Sequence, residues 1–230
     1  MEFYKSLKPH RFKEKNHHNP EKPPSTNRET AIALVEIHCM FKDPLQPGLM
    51  YHIYNRGNNR ENLFKEDKNY FHFLNLSQKH LLPIADIFSY SLQPNHFHYL
   101  IQIKDAIENK LINQSFSNWF NAYTKSINIA YNRTGSLFQE RFARKLIDTN
   151  TYLNNIIFYI HANAQKHRLV EDFRSYKYNT YDTLLSDKAT FLQRDKVLNW
   201  FGNREQFAKF HAQNQDVLVD YLKILDAEGF

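Results

Sequence analysis

Cysteine is nearly absent. Cys39 is the only one in 230 residues, so no disulfide can close within the chain. No signal-peptide pattern opens the sequence, and the two observations together place the expected chain in the reducing cytoplasm. Long apolar runs are missing too; none approaches the length of a bilayer span, which excludes a helical membrane anchor. There is no internal repeat and no low-complexity block, so neither a solenoid nor a biased linker is expected. Acidic side chains are outnumbered, 24 against 30 basic ones, leaving a net charge of +6. A basic chain with 15% aromatic residues suits a polyanion whose bases can stack on rings. The same modest charge would also serve solubility alone.

The chain divides by composition. Residues 1–48 form an N-terminal arm, rich in Lys, His, Asn and Pro up to Pro24 and without periodicity, which reads as partly disordered. Within it Ala31–Phe41 is apolar enough for one short element. Pro44 and Pro47-Gly48 then mark the start of a main domain over residues 49–185. Alternation predicts a strand over Met50–Asn55, ended by the turn signal Arg56-Gly57-Asn58-Asn59. A helix follows over about Glu66–Leu82, with Tyr70, Phe73, Leu74 and Leu81 on one stripe and Pro83 as its stop. Strands are expected over Ala85–Leu92 and, after Pro94-Asn95, over His96–Ile103. A long helix covers about Ala106–Asn132, its stripe running from Leu111 and Ile112 through Phe116, Trp119, Phe120, Tyr123 and Ile127 to Tyr131. Gly135 breaks it. A fourth strand is predicted over Leu137–Ile147, and Asp148-Thr149-Asn150 offer caps for a helix over about Thr151–His167.

That order, βαββαβα, predicts an α+β fold: a ferredoxin-like, four-stranded antiparallel sheet with two helices on one face. The last helix would cross the other face. Beyond Tyr181 the pattern turns helical again, over Leu192–Phe201, Glu205–Gln213 and Val217–Leu225; residues 186–230 read as a C-terminal helical appendage.

Chemistry concentrates in two short segments. In His96-Phe97-His98 the imidazoles share one strand face and Phe97 takes the other. Paired imidazoles are half of a metal site; they are equally two solvated or hydrogen-bonded histidines. Tyr159 and Asn163 stand four residues apart in the last helix and share a face. Tyr152, Ile156 and Tyr159 are also at helical spacing, so Tyr159 could be a core residue. A buried Asn163 would need a partner, and a metal ion could supply it. His161, on another side of that helix, reads as packing or as support for a ligand. His72, His80, His167 and His211 carry no pattern.

Taken in order, Tyr51-His52-Ile53-Tyr54-Asn55-Arg56-Gly57, Pro94-Asn95-His96-Phe97-His98, Gly135-Ser136-Leu137-Phe138-Gln139-Glu140-Arg141-Phe142, Tyr159-Ile160-His161-Ala162-Asn163 and Tyr178-Asn179-Thr180-Tyr181 resemble the REP-associated tyrosine transposases. These are a branch of the single-tyrosine HUH, IS200-like transposases, and the resemblance covers roughly residues 49–185. It implies that His96, His98 and Asn163 hold a metal, Mg²⁺ or Mn²⁺ by donor type, and that Tyr159 is the nucleophile. Attack on single-stranded, hairpin-bearing DNA would leave a 5′-phosphotyrosine and a free 3′-hydroxyl, with no nucleotide cofactor. Arg56, Arg60, Arg141, Arg144 and Lys145 become candidate phosphate holders, and exposed Tyr and Phe candidate stacking platforms. The resemblance leaves open homodimer or monomer. The chain departs from the pattern at Ala164, where such proteins usually carry Pro. Two further readings stand beside this one: a catalytically silent or domesticated nucleic-acid-binding protein, and a water-using metal nuclease in which Tyr159 is structural.

Overall fold

The computed structural model describes residues 44–147 and 150–214. Four strands, β1 (Met50–Arg56), β2 (Ala85–Gln93), β3 (His96–Ile103) and β4 (Ala143–Ile147), form one antiparallel sheet in the order β2-β3-β1-β4. Helices α1 (Asp67–Leu81) and α2 (Asn109–Ala130) pack on each other, and α3 (Asn150–Lys166) packs against β2 and β3. Three short helices follow: α4 (Tyr181–Leu185), α5 (Arg194–Trp200) and α6 (Arg204–Gln213). This is the ferredoxin-like order expected from the sequence.

The register assigns each strand residue to a face. Phe97 pairs with Asn55, and Tyr99 with Ile53, on the side covered by α1 and α2. His96 pairs with Arg56, and His98 with Tyr54, on the side crossed by α3. On the first side an aromatic cluster fills the core. Phe73 lies 4.7 Å from Trp119 and 5.1 Å from Phe97, ring centre to ring centre, and Trp119 lies 5.3 Å from Tyr99. Each of these rings is fully buried, which is worth about 2–3 kcal/mol apiece in area removed from water. Tyr123 keeps its hydroxyl satisfied by donating to the Leu63 carbonyl at 2.7 Å.

Three expectations need correction. The fourth strand is Ala143–Ile147, shorter than the Leu137–Ile147 read from alternation. Leu137 and Phe138 are consecutive yet both buried, so alternation is broken there. Residues 137–142 form instead a loop tied to the end of β1: the Asn58 amide donates to Leu137 O and the Gln139 amide to Arg56 O. The long helix begins at Asn109, not near Ala106, because Ala106 sits at φ 59° and cannot continue a helix. Leu111, placed on the apolar stripe, is 49% exposed. The element expected at Ala31–Phe41, most of the arm, and the helix expected at Val217–Leu225 lie outside the described residues.

Gly57 shows why the turn after β1 takes that residue. A Cβ there would stand 2.0 Å from the Glu61 carbonyl oxygen, so no larger side chain fits without moving the backbone. The turn is a short 3₁₀ segment, Asn58–Arg60, with Asn59 and Arg60 at positive φ. The C-terminal helices are packed onto the domain. The Gln193 amide donates to Ile87 O of β2, and the Trp200 ring packs tilted against Phe88, 4.8 Å between centres. Asn203 caps α6 by accepting from the Gln206 amide at 2.8 Å.

Candidate active site

Alternation along β3 turns both imidazoles of His96 and His98 beneath α3. The helix is held there by an apolar face, Leu153, Ile156, Ile157 and Ile160, all buried. The four-residue step from Tyr159 to Asn163 is one turn, so both reach the same part of the sheet. The Asn163 side-chain oxygen lies 2.9 Å from His96 Nε2. The Tyr159 ring stands edge-on to His98, 5.4 Å between centres, and His96 edge-on to His98 at 5.3 Å. His96, His98, Asn163 and Tyr159 therefore converge, and one chain supplies all four.

All four are buried, Tyr159 to 3% exposure and Asn163 to 0%. Burial disfavours the charged imidazolium. The His96 pKa falls to about 3, chiefly through desolvation; the bond to Asn163 opposes this, while His167, Lys166 and Arg56 reinforce it. His98 lies well below its ordinary value for the same first reason, with neighbouring imidazoles adding to it. Neutral imidazoles are the form that binds metal.

The tautomers can be read from the partners. His96 Nδ1 lies 2.7 Å from the Asn95 side-chain oxygen, and Nε2 faces the Asn163 oxygen. A neutral ring has one N–H and can donate to only one of these oxygens. With the proton on Nδ1 and donated to Asn95, the Nε2 lone pair meets an oxygen lone pair. A cation between them would reconcile that contact. Turning the Asn163 amide over would do so as well, its nitrogen then donating to His96 Nε2. The Asn163 amide nitrogen is buried with no partner, so this side chain is incompletely satisfied in either case. His98 Nδ1 lies 3.0 Å from His52 Nε2. Donation from His98 to His52 puts the lone pair of His98 on Nε2, the counterpart of Asn95 acting on His96. Two imidazole nitrogens and an amide oxygen could thus hold a divalent cation. Among the described residues no three His, Cys, Asp or Glu side chains cluster as a metal group.

His52 is a participant that the sequence reading passed over. It is buried, its ring 5.1 Å from His98 and 5.8 Å from Tyr159, and desolvation followed by the charge of Lys145 lowers its pKa to about 3. Its signal was present: His52, Tyr54 and Arg56 alternate along β1 and share the face of His98. Lys166 and His167 were passed over too. Lys166 lies 5.5 Å over the Tyr159 ring, and His167 is edge-on to His96 at 4.7 Å. They stand seven and eight residues past Tyr159, two helical turns on.

The five basic candidates are divided. Arg56 and Lys145 are on the α3 side, opposite His96 and His52 respectively. Arg144 neighbours Lys145 on a strand and so points to the other side, where it lies 5.4 Å from the Phe142 ring. Arg60 is exposed in the turn after β1, and Arg141 is exposed in the loop before β4. His161 faces away from the imidazole cluster, toward Ser89 and Thr180. The Tyr178–Tyr181 segment is explained by backbone fastening: the Asn179 amide group donates to Phe173 O at 2.7 Å, and Asn179 and Ser91 form a bridge.

Comparison with known proteins adds two findings. The family described as "Transposase IS200 like" matches residues 46–163, the span from four residues before β1 to Asn163. Among solved structures, that of a REP-associated tyrosine transposase bound to a REP hairpin superposes with a TM-score of 0.53. It shares 13% identity, over 64% of this chain and 85% of the other, so the likeness is one of fold. No curated protein matches the chain. No helix among the described residues is long and apolar enough to cross a membrane.

Proposed function

Because the chain belongs to the IS200-like transposase family, we propose that it cleaves and rejoins single-stranded, hairpin-bearing DNA through a covalent link to Tyr159. The observation that carries this reading is the convergence of His96, His98, Asn163 and Tyr159 beneath one helix of one chain.

Tyr159 Oη attacks the phosphorus of the scissile phosphodiester. The P–O3′ bond breaks, the phenol proton leaves, and the products are a 5′-phosphotyrosine and a free 3′-hydroxyl. A 3′-hydroxyl then attacks the phosphotyrosine, restoring the phosphodiester and the phenol, so no ATP is consumed. A phenol with a reference pKa near 10 is a weak nucleophile at neutral pH, so the site must favour its anion or screen the phosphate. A divalent cation held by His96, His98 and Asn163 would polarise a non-bridging oxygen and neutralise charge there. His52 and Asn95 keep the two imidazoles in the orientation that directs Nε2 inward. Lys166 adds positive charge beside Tyr159, and Arg56 and Lys145, on the same side of the sheet, are the strand residues best placed to hold a phosphate near the site. The hairpin of the solved relative supports a structured single strand as substrate class.

The deep burial of Tyr159 favours one competing reading, a metal nuclease that uses water while Tyr159 only packs. Labelled single-stranded hairpin DNA, incubated with Mg²⁺ or Mn²⁺ and run on a denaturing gel, separates the two. A protein–DNA adduct mapping to Tyr159, lost in Tyr159→Phe and kept in Tyr152→Phe, is expected. Undiminished cleavage by Tyr159→Phe, or an adduct on another residue, would favour the nuclease.

A further inference from the structure

Behind the imidazole cluster lies a second buried polar group that the proposed reaction does not use. His211 on α6 has its Nδ1 2.8 Å from the Phe207 carbonyl, and its Nε2 2.9 Å from His161 Nδ1. His161 Nε2 lies 2.8 Å from the Thr180 hydroxyl and 3.1 Å from the Ser89 hydroxyl. Those hydroxyls are 2.9 Å apart, and the Tyr90 amide donates to Thr180 Oγ1. His161, His211, Ser89 and Thr180 are each fully buried.

The protons follow from one end. A carbonyl only accepts, so His211 carries its proton on Nδ1. A neutral His211 therefore accepts at Nε2, and His161 donates from Nδ1. His161 Nε2 then accepts from Thr180 or Ser89. Both rings are neutral, and every ring nitrogen is satisfied. The chain ties together β2, α3, the start of α4 and α6.

His161 lies midway between Tyr159 and Asn163. Apart from this hydrogen-bonded chain and the Asn163–His96 contact within the site itself, α3 is held to the sheet by the apolar side chains of Leu153, Ile156, Ile157 and Ile160, and apolar contacts tolerate small slides and rotations. Hydrogen bonds do not, because they weaken steeply with angle. We propose that His211, acting through His161, is a positioning residue that fixes the rotation of α3 and so the placement of Tyr159 and Asn163 against His96 and His98. It rests on the reading of the site given above. His211 falls outside the residues matched to the family, so the brace comes from the C-terminal helices.

The test uses the full chain and two substitutions at one position. His211→Leu removes the acceptor for His161, whereas His211→Gln offers an amide oxygen in its place. Rates are read well below the unfolding midpoint of every variant, so that folded protein is compared with folded protein. His211→Leu is expected to lower kcat for adduct formation roughly 10–100-fold, with KM for the hairpin DNA near wild type, since small misplacements of reacting groups carry penalties of that size. His211→Gln is expected to recover most of kcat even where its midpoint stays as low as that of His211→Leu. Independently of activity, the slowly exchanging His161 Nδ1–H proton resonance should be present in wild type and His211→Gln and absent in His211→Leu. Wild-type kcat in folded His211→Leu, or equal loss in both variants, overturns the inference while an intact wild-type adduct leaves the proposed reaction standing. Absence of any wild-type adduct overturns both.

Discussion

The two faces of the sheet are made from the same strands by different chemistry. Phe97, Tyr99 and Ile53 point toward α1 and α2, where Phe97 and Tyr99 meet Phe73 and Trp119. Their immediate neighbours His96, His98, His52 and Tyr54 point toward α3, and the same side of β2 adds Ser89, Ser91 and Gln93. Both faces are buried. On the aromatic face burial removes apolar area from water and stabilises the fold directly. On the polar face it desolvates histidines and amides, which costs free energy unless partners satisfy them. That cost, and the unsatisfied Asn163 amide nitrogen, are what the proposed metal site on this face would account for.

The sharpest way to break the comparison is to substitute adjacent residues of β3. His96→Ala and His98→Ala should abolish DNA cleavage while keeping a cooperative unfolding transition. Phe97→Ala should cost about 3–5 kcal/mol and lose activity only by unfolding. Denaturant melts and the adduct gel, run on the same preparations, check both. A Phe97→Ala protein of wild-type stability, or full cleavage by the double histidine variant in chelator, would erase the distinction.

Metal dependence should follow the polar face next. Cleavage by the wild type is expected to vanish in chelator and return with Mg²⁺ or Mn²⁺. Asn163→Ala should be weak but partly restored by excess Mn²⁺. Ile101→Val, on the aromatic face, should lose about 1 kcal/mol of stability and keep the wild-type metal requirement. Titrating metal into each variant and following adduct yield distinguishes them.

The faces should also fail at opposite ends of the pH scale. Burial lowers His211 to about 4 and His52 and His96 to about 3. The unfolded chain then binds more protons than the native one below about 6.5, so stability is full above that pH and declines as pH falls toward 4. His211 alone would account for roughly 3 kcal/mol by pH 4. On the aromatic face, burial raises Tyr99 and Tyr123. Their protons are lost first from the unfolded chain, so this contribution holds below about pH 10 and declines as pH rises further. Denaturant midpoints across pH 4–11 test both signs; a flat acid limb would mean that the buried histidines titrate normally.

The smallest effect separates Lys145 from Arg144, neighbours on β4 with opposite directions. Affinity for single-stranded DNA should fall with salt, and Lys145→Ala should reduce that slope by about one. Arg144→Ala should change it less if the strand runs along the α3 side. Equal slopes for the two variants would show that DNA contacts both faces.

Much was legible before any coordinates. Strand and helix order followed from periodicity, because periods of two and 3.6 are local properties of the chain. The common face of His96 and His98 and the single turn between Tyr159 and Asn163 followed for the same reason. The loop at residues 137–142 was not legible, since Leu137 and Phe138 are buried by long-range contact with the end of β1 and not by alternation.

Local pattern thus determined which side chains share a face within each element. Which elements face one another was decided only in three dimensions. The sheet order places β3 beside β1, and this alone brings His52 within 3.0 Å of His98, 46 positions away. The crossing of α3 over β2 and β3 alone joins Asn163 to His96, and the packing of α6 alone joins His211 to His161. No local period encodes these pairs. They arise because apolar faces must be covered, and covering them carries the polar residues on the same elements into contact.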